Sequence, residues 1–217
     1  MNVDVSTDLG PGRLVVDSAT DARAVLWLGH GAGGGIDALD LAALAETLPA
    51  AGVTVVRYEQ PWRVAGRKVA PRPAALDVGW LAAAPHVAQI ADGRPLVVGG
   101  RSAGARVTCR TAQAVAATGV VCLAFPLHPP GKPERSRIDE LLLPSVPRLV
   151  LQGDRDTFGT ADDVRAALAT APTADVRVTA VPGADHSMKV LKSSPVDATA
   201  VARRVVDEVR TFVESLG

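Results

Sequence analysis

Ser102 lies in the pattern of a reactive serine placed between a strand and a helix. Residues 100–104 read Gly-Arg-Ser-Ala-Gly, a G-x-S-x-G motif that follows the apolar run 96–98 and precedes a helical segment. A tight turn strains the serine backbone there, and glycine two residues to either side prevents steric overlap. The turn also places the hydroxyl at a helix N-terminus, where free amides favour developing negative charge. The alternative is a glycine-rich turn in which Ser102 is only a helix N-cap.

A second glycine-rich segment follows an earlier apolar run. Residues 29–35 read Gly-His-Gly-Ala-Gly-Gly-Gly, which resembles the loop that supplies oxyanion-hole amides in esterases and lipases. We expect the oxyanion donors to be the amides of Ala103 and of Ala32 or Gly33. The alternative is a phosphate-binding loop, but neither G-x-G-x-x-G nor a Walker Lys-Ser/Thr is present. His30 is expected to order this loop rather than transfer protons.

His186 is the candidate base for the serine hydroxyl. It follows the apolar run 176–181, and two acids follow the preceding run, 148–151. The order serine, acid, histidine at the ends of successive late strands is that of the α/β-hydrolase fold. A serine hydroxyl needs an adjacent base, so His186 would take the proton of Ser102 and later return it to the leaving group.

The acid that orients His186 is predicted to be Asp156. Its carboxylate would fix the imidazole tautomer and stabilise the imidazolium. Asp156 lies slightly beyond the strand end, where this acid usually lies, whereas Asp154 follows the strand more closely and stays open as the alternative. Asp185 is a poor candidate because neighbouring side chains tend to diverge. Asp154 and Asp185 would then stabilise their loops by side-chain hydrogen bonds.

These residues need a scaffold that brings strand ends together, and the apolar pattern supplies one. Short apolar runs alternate with longer Ala-rich helical segments, and after the first run they lack the in/out alternation of a half-solvated sheet. The pattern predicts an α/β fold of one domain, residues 1–217, with a doubly wound, mainly parallel sheet and helices on both faces. The predicted strands are 14–16, 24–28, 53–57, 96–98, 120–124, 148–151 and 176–181.

Several helix boundaries can be predicted from local signals. Thr160 and Asp163 have the spacing of a capping box. Ser194, followed by proline, is expected to open the last helix, whose apolar stripe runs from Val201 to Leu216. Pro85 interrupts a helical segment, so we expect a kink or two short helices there.

Composition excludes several classes of function. The chain has 217 residues, 47% of them apolar, and Lys plus Arg equals Asp plus Glu at 23 each. Zero net charge argues against bulk attraction to nucleic acid or an anionic membrane. The cysteines, Cys109 and Cys122, suit free thiols in a reducing compartment. No signal peptide or membrane span is apparent, so a cytoplasmic protein is expected. Clustered Cys/His ligands are lacking, so no metal or other cofactor is expected.

Together these segments resemble the α/β-hydrolase superfamily over nearly the whole chain. Residues 99–106, 125–133 and 151–159 resemble its small Tex30/KANL3-type branch. Only residues 126–146 separate two late strands, so we expect no cap domain and an open site. Members of this branch mostly have no assigned activity, and one is a chromatin-complex subunit, so the resemblance leaves a non-hydrolytic role open.

Other side chains near the predicted strand ends are candidates for substrate binding. Phe125, His128 and Phe158 are expected to line the acyl or alcohol pocket, although His128 has the alternative of anchoring its proline-rich loop. A basic segment forms either a solvated loop or a surface for an anionic substrate or partner. It comprises Arg57, Arg63, Arg67, Lys68 and Arg72, with Trp62 between them.

The sequence therefore predicts a serine hydrolase that cleaves small ester or thioester substrates through an acyl-enzyme on Ser102. Acyl transfer to another acceptor would use the same residues. A scaffold protein that retains the fold is the alternative from another class. A dienelactone-hydrolase-like activity is a narrower alternative, although that group usually has cysteine as nucleophile. The oligomeric state is left open by the sequence.

Overall fold

A computed structural model describes residues 1–169, 171 and 174–217 of the protein. At the centre of these residues lies an eight-stranded sheet. The strand order is β1-β2-β4-β3-β5-β6-β7-β8, with β1–β2 and β2–β4 antiparallel and all other neighbours parallel. The strands are β1 Asn2–Val5, β2 Gly12–Asp17, β3 Ala24–Gly29, β4 Val53–Glu59, β5 Leu96–Arg101, β6 Gly119–Leu123, β7 Arg148–Gly153 and β8 Val176–Val181.

The predicted mainly parallel sheet is confirmed, and each of the predicted strands is present. Strand β1 was not predicted because it is short, carries Asn2 and Asp4, and pairs only at the antiparallel edge of the sheet. Strands β3, β5, β6 and β7 are buried at every position. Burial on both faces explains why their sequences lack polar alternation.

Helices cover both faces of the sheet, as predicted. Helices α1 and α7 pack together on one face, and α3 to α6 lie on the other. On the second face Trp80 of α3 stacks on Trp27 of β3, with ring centroids 3.6 Å apart. The helices are α1 Leu39–Thr47, α2 Pro61–Val64, α3 Pro73–Ala91, α4 Ala103–Thr111, α5 Ile138–Leu142, α6 Ala161–Leu168 and α7 Ala198–Glu214, with a 3-10 turn at Leu48–Ala51.

The local helix signals had mixed outcomes. The capping box at Thr160 is confirmed, since its hydroxyl accepts from the Asp163 amide and the Asp163 carboxylate accepts from the Thr160 amide. The expectation of two short helices around Pro85 is wrong, because α3 continues through the proline, whose missing N–H costs one helical hydrogen bond. The start of α7 was also predicted too early. Asp197 caps it by accepting from the Ala200 amide, whereas the Ser194 hydroxyl accepts from Val196 in a local turn.

The topology leaves the carboxyl edge of the sheet open. Strand β3 lies between β4 and β5, so the loops that leave β3 and β5 start side by side at the topological switch point. Between β6 and β7 the regular structure is limited to the five residues of α5, so no cap domain covers that edge. In the part of the chain that the structure describes, none of the helices has the length and apolarity needed to span a bilayer.

Candidate active site

Ser102 occupies a strained turn between β5 and α4. Its φ of 51° and ψ of −108° are unusual for a residue with a side chain. Its amide donates to the carbonyl oxygen of Leu123 at 2.9 Å, which ties the turn to the end of β6. A Cβ at Gly100 would lie 2.7 Å from the carbonyl oxygen of Gly29, and one at Gly104 would overlap the same atom. Neither position 100 nor position 104 has space for a side chain, as the motif predicted.

The Ser102 hydroxyl, the His186 imidazole and the Asp156 carboxylate form one hydrogen-bonded row. His186 Nε2 lies 2.9 Å from Ser102 Oγ, and Nδ1 lies 3.0 and 2.8 Å from the two oxygens of Asp156. A carboxylate can only accept, so Nδ1 carries the proton and Nε2 is free to accept from the hydroxyl. The Asp156 side chain is fully buried, and 21% of the His186 side chain is exposed. This row can remove a proton from Ser102 at the surface of the molecule.

The structure places Asp156, and not Asp154 or Asp185, against His186. Asp154 instead accepts from the Gly183 amide at 2.8 Å and joins the loops after β7 and β8. Asp185 accepts from the amides of residues 187 and 189 within its own loop. Both acids thus make the loop-stabilising hydrogen bonds expected for them.

Gln152 is a positioning residue that the sequence reasoning missed. Its side-chain amide is fully buried at the end of β7 and donates to Asp156 Oδ2 at 3.0 Å. The same nitrogen lies 2.6 Å from the carbonyl oxygen of Gly159, and the Phe158 amide donates to Asp156 Oδ1 at 2.8 Å. These donors fix the orientation of the carboxylate. A polar residue directly after the apolar run 149–151 was the available signal.

The glycine-rich loop after β3 passes directly beside Ser102. A Cβ at Gly31 would lie 3.5 Å from the Cβ of Ser102, so glycine permits this close approach. Within the described chain, the amides of Ala32, Gly33 and Ala103 have no hydrogen-bond acceptor. Ala103 opens α4, and its amide is one of the free donors of a helix N-terminus. The loop and the helix therefore bring unpaired backbone N–H groups close to the Ser102 hydroxyl.

His30 orders this loop, as expected. It is 4% exposed, Nδ1 donates to the Gly31 carbonyl at 2.9 Å, and Nε2 accepts from the Gln60 amide at 3.2 Å. Burial lowers the pKa of His30, and the positive charge of Arg63 acts in the same direction. Both ring nitrogens have structural partners in the neutral form, which leaves none for proton transfer.

A buried ion pair lies directly beside Ser102 in the chain. Arg101 Nε is 3.0 and 3.1 Å from the carboxylate oxygens of Asp40, whose side chain is fully buried in α1. Burial raises the pKa of Asp40, and the charge of Arg101 partly offsets that rise. Sequence reasoning did not find this pair, because its members are 61 residues apart and neither has a short-range signal.

A groove of about 580 Å³ opens around Ser102 and His186. The glycine-rich loop forms one wall, and Phe158 and Leu39 supply apolar surface. Phe158 is half-buried and stacks on the His186 ring, with centroids 4.0 Å apart. A separate void behind the glycine loop has only about 10 Å³, roughly the space of one water molecule. A substrate must therefore lie in the open groove.

Two of the three predicted substrate-contacting residues lie elsewhere. Phe125 is fully buried in the core, and it directly follows Ala124, whose φ of 50° is in the left-handed region. His128 is half-buried and is not part of the groove lining, and its Nδ1 donates to the Pro129 carbonyl at 2.9 Å. This contact matches the alternative that His128 anchors its proline-rich loop. Phe158 lines the groove beside Ser102.

Comparisons with known proteins agree with this architecture. A family profile described as an alpha/beta hydrolase domain matches residues 22–214. XC6422 from Xanthomonas campestris, an α/β serine hydrolase without a lid, superposes with a TM-score of 0.75 at 20% identity over 98% of this chain and 94% of its own. An α/β serine hydrolase homologue from Coxiella burnetii gives 0.74 at 16% identity, over 100% and 97%.

An esterase from Pyrobaculum calidifontis is also similar in structure. Its TM-score is 0.67 at 17% identity, over 100% of this chain and 84% of its own. A search among curated protein sequences found no significant match. At these identities the structural similarities establish the fold, while the chemistry must be argued from the side chains.

Proposed function

The chain belongs to the alpha/beta hydrolase family, and on that premise we propose that it is a serine hydrolase that cleaves esters or thioesters of small substrates through an acyl-enzyme on Ser102. The single observation that carries the proposal is the row from Ser102 through His186 to Asp156, which ends at an open groove. The serine hydrolases and the esterase of similar structure support it.

In the acylation step, Ser102 Oγ attacks the substrate carbonyl carbon while His186 Nε2 accepts the hydroxyl proton. The carbonyl oxygen becomes an oxyanion beside the unpaired amides of Ala103 and of Ala32 or Gly33. When the tetrahedral intermediate collapses, the C–O or C–S bond breaks and His186 returns the proton to the leaving alcohol or thiol. Asp156 stabilises the imidazolium between these two events.

In the deacylation step, a water molecule attacks the acyl carbon and His186 acts as base again. The proton then returns to Ser102 Oγ as the carboxylic acid leaves. The groove is open, so water reaches the acyl-enzyme, and this favours hydrolysis over transfer to another acceptor. The shallow site and the 10 Å³ void behind the loop favour small acyl groups over long chains.

The proposal includes a cytoplasmic location and needs no metal. Cys109 and Cys122 are free and buried, with their sulfur atoms 3.6 Å apart, which suits a reducing compartment. Among the described residues, no cluster of three or more His, Cys, Asp or Glu has the arrangement of a metal site. The groups named above suffice for acyl transfer.

The test is labelling with a fluorophosphonate probe, which reacts with activated serine hydroxyls. We expect the wild type to be labelled and the Ser102→Ala and His186→Ala variants to be unlabelled. Peptide mapping should place the adduct on Ser102 and not on Ser187, which also lines the groove and serves as an internal control. A folded wild type without any labelling would favour the scaffold alternative.

A further inference from the structure

The groove beside Ser102 carries more positive than negative side chains. Arg63, Arg101 and Lys189 line it together with one acid, Asp37. Arg101 is already paired with Asp40, but neither Arg63 nor Lys189 has an ion pair or a side-chain hydrogen bond within the described residues. Two cations are thus free at the edges of a groove in a chain of zero net charge.

Arg63 lies in the wall of the groove, beside the glycine-rich loop. It lies on α2 and is half-buried, and its guanidinium packs against the glycine-rich loop, with Nε 3.7 Å from the position of a Cβ on Gly35. Its charge reaches His30, whose pKa is lowered by burial first and also by Arg63. A planar guanidinium without a partner presents a two-donor fork that matches a carboxylate or phosphate.

Arg101 supplies an independent observation at the same groove. Its side chain is nine-tenths buried, and both short contacts to Asp40 involve Nε alone. Nη2 is buried without a hydrogen-bond partner in the part of the chain that the structure describes. An unpaired buried donor costs free energy, and Arg101 is one of the residues that line the groove.

The positive charge continues beyond the rim of the groove. Arg67, Lys68 and Arg72 follow α2 in the chain, are exposed, and have no ion pair among the described residues. The sequence left open whether this basic segment was only a solvated loop. Its contact with the groove through Arg63 favours a role in attracting an anionic molecule.

From these observations we propose that the groove binds an anionic group of the substrate, a carboxylate or a phosphate, between Arg63 and Lys189. The inference rests on the proposed function, and it narrows the substrate class to esters or thioesters that carry a negative charge. The apolar surface of Phe158 and Leu39 then faces the uncharged part of the substrate.

The inference is tested by binding, so that it does not depend on turnover. The Ser102→Ala protein is titrated by NMR with monoethyl glutarate, with 2-acetoxyethyl phosphate and with neutral ethyl butyrate. We expect at least one anionic ester to bind about 10-fold more tightly than ethyl butyrate, by an amount that falls as salt is added. The two anionic probes distinguish a carboxylate from a phosphate preference.

Charge-matched variants assign the preference to Arg63. Arg63→Gln in the Ser102→Ala background should remove most of the preference, whereas Arg63→Lys should retain part of it. Arg203→Gln removes the same charge from an exposed position on α7, outside the groove, and should retain the full preference. Circular dichroism checks that each variant is folded.

Two results would overturn the inference. The first is equal binding of all three esters, and the second is the same loss of preference in Arg63→Gln and Arg203→Gln. Failure of the proposed function has a different signature, namely an absence of fluorophosphonate labelling in the wild type. Selective anion binding without labelling would support an anion-binding groove on a protein that is not a serine hydrolase.

Discussion

Replacing Asp156 by asparagine should abolish most activity while leaving the fold intact. The substitution keeps the shape of the side chain but removes the charge that faces His186 Nδ1 at 2.8 Å. An asparagine amide can also donate to Nδ1, which would favour the tautomer that protonates Nε2. His186 could then no longer accept the proton of Ser102.

The size of the effect follows from the geometry of the pair. Asp156 is fully buried and His186 mostly so, which makes an effective dielectric constant of about 20 appropriate. At 2.8 Å the attraction between the carboxylate and the imidazolium formed during reaction is then about 6 kcal/mol. At 1.36 kcal/mol per factor of ten, this corresponds to a loss of roughly ten-thousand-fold in kcat.

The assay is hydrolysis of a 4-nitrophenyl ester, with the rate of fluorophosphonate labelling as a second readout. Asp154→Asn is the matched control, because Asp154 follows the same strand but its carboxylate accepts from the Gly183 amide and not from His186. We expect that variant to lose some stability and to retain activity within about three-fold. Equal losses in both variants, or full activity in Asp156→Asn, would refute the assignment of the acid.

Two further predictions concern stability. Gly104→Ala should destabilise the protein by about 3 kcal/mol or more, because its Cβ would overlap the Gly29 carbonyl. The control is Gly34→Ala, whose Cβ meets open space and which should change the free energy of unfolding by less than about 0.5 kcal/mol. The midpoints of urea unfolding of the two variants are compared with that of the wild type. For Glu140, burial raises the pKa, but hydrogen bonds and charge from Arg106 and Arg110 outweigh the effect of burial. The pKa of Glu140 therefore lies below the usual 4.5. The ionised Glu140 carboxylate therefore stabilises the folded protein above pH 4.5, and this stabilisation is lost as the pH falls through the lowered pKa. Thermal unfolding should show Glu140→Gln about 1 kcal/mol less stable at pH 7, a difference that shrinks toward pH 3.

The parts of the site that sequence could predict are those with a local steric cause. The turn at Ser102 needs glycine at positions 100 and 104, and two glycines at that spacing around a serine are enough to indicate the strained backbone. The capping box at Thr160 is of the same kind, since both of its partners lie within one turn of helix. In each case the residues that determine the conformation lie within four positions of one another.

The parts that sequence could not predict depend on loop conformation and on contacts between distant segments. Asp154 and Asp156 both follow β7, so the sequence favoured Asp156 but left Asp154 open, because the loop conformation that brings Asp156 to His186 has no local signal. Phe125 follows a strand, and that position alone predicts a place in the pocket. Phe125 instead lies in the core, directly after Ala124, whose positive φ an alanine in the sequence does not signal.

The turn at Ser102 depends on neighbouring contacts for its stability. A serine at a φ of 51° costs about 1–3 kcal/mol, so its surroundings must hold it in place. The Leu123 carbonyl holds the Ser102 amide from one side, and the Arg101 side chain is fixed by Asp40 from the other. Truncating Asp40 would leave a buried guanidinium without its counter-charge, at a cost of about 3–5 kcal/mol. Arg101 directly precedes Ser102, so we expect Asp40→Ala to lower both the midpoint of urea unfolding and the rate of fluorophosphonate labelling.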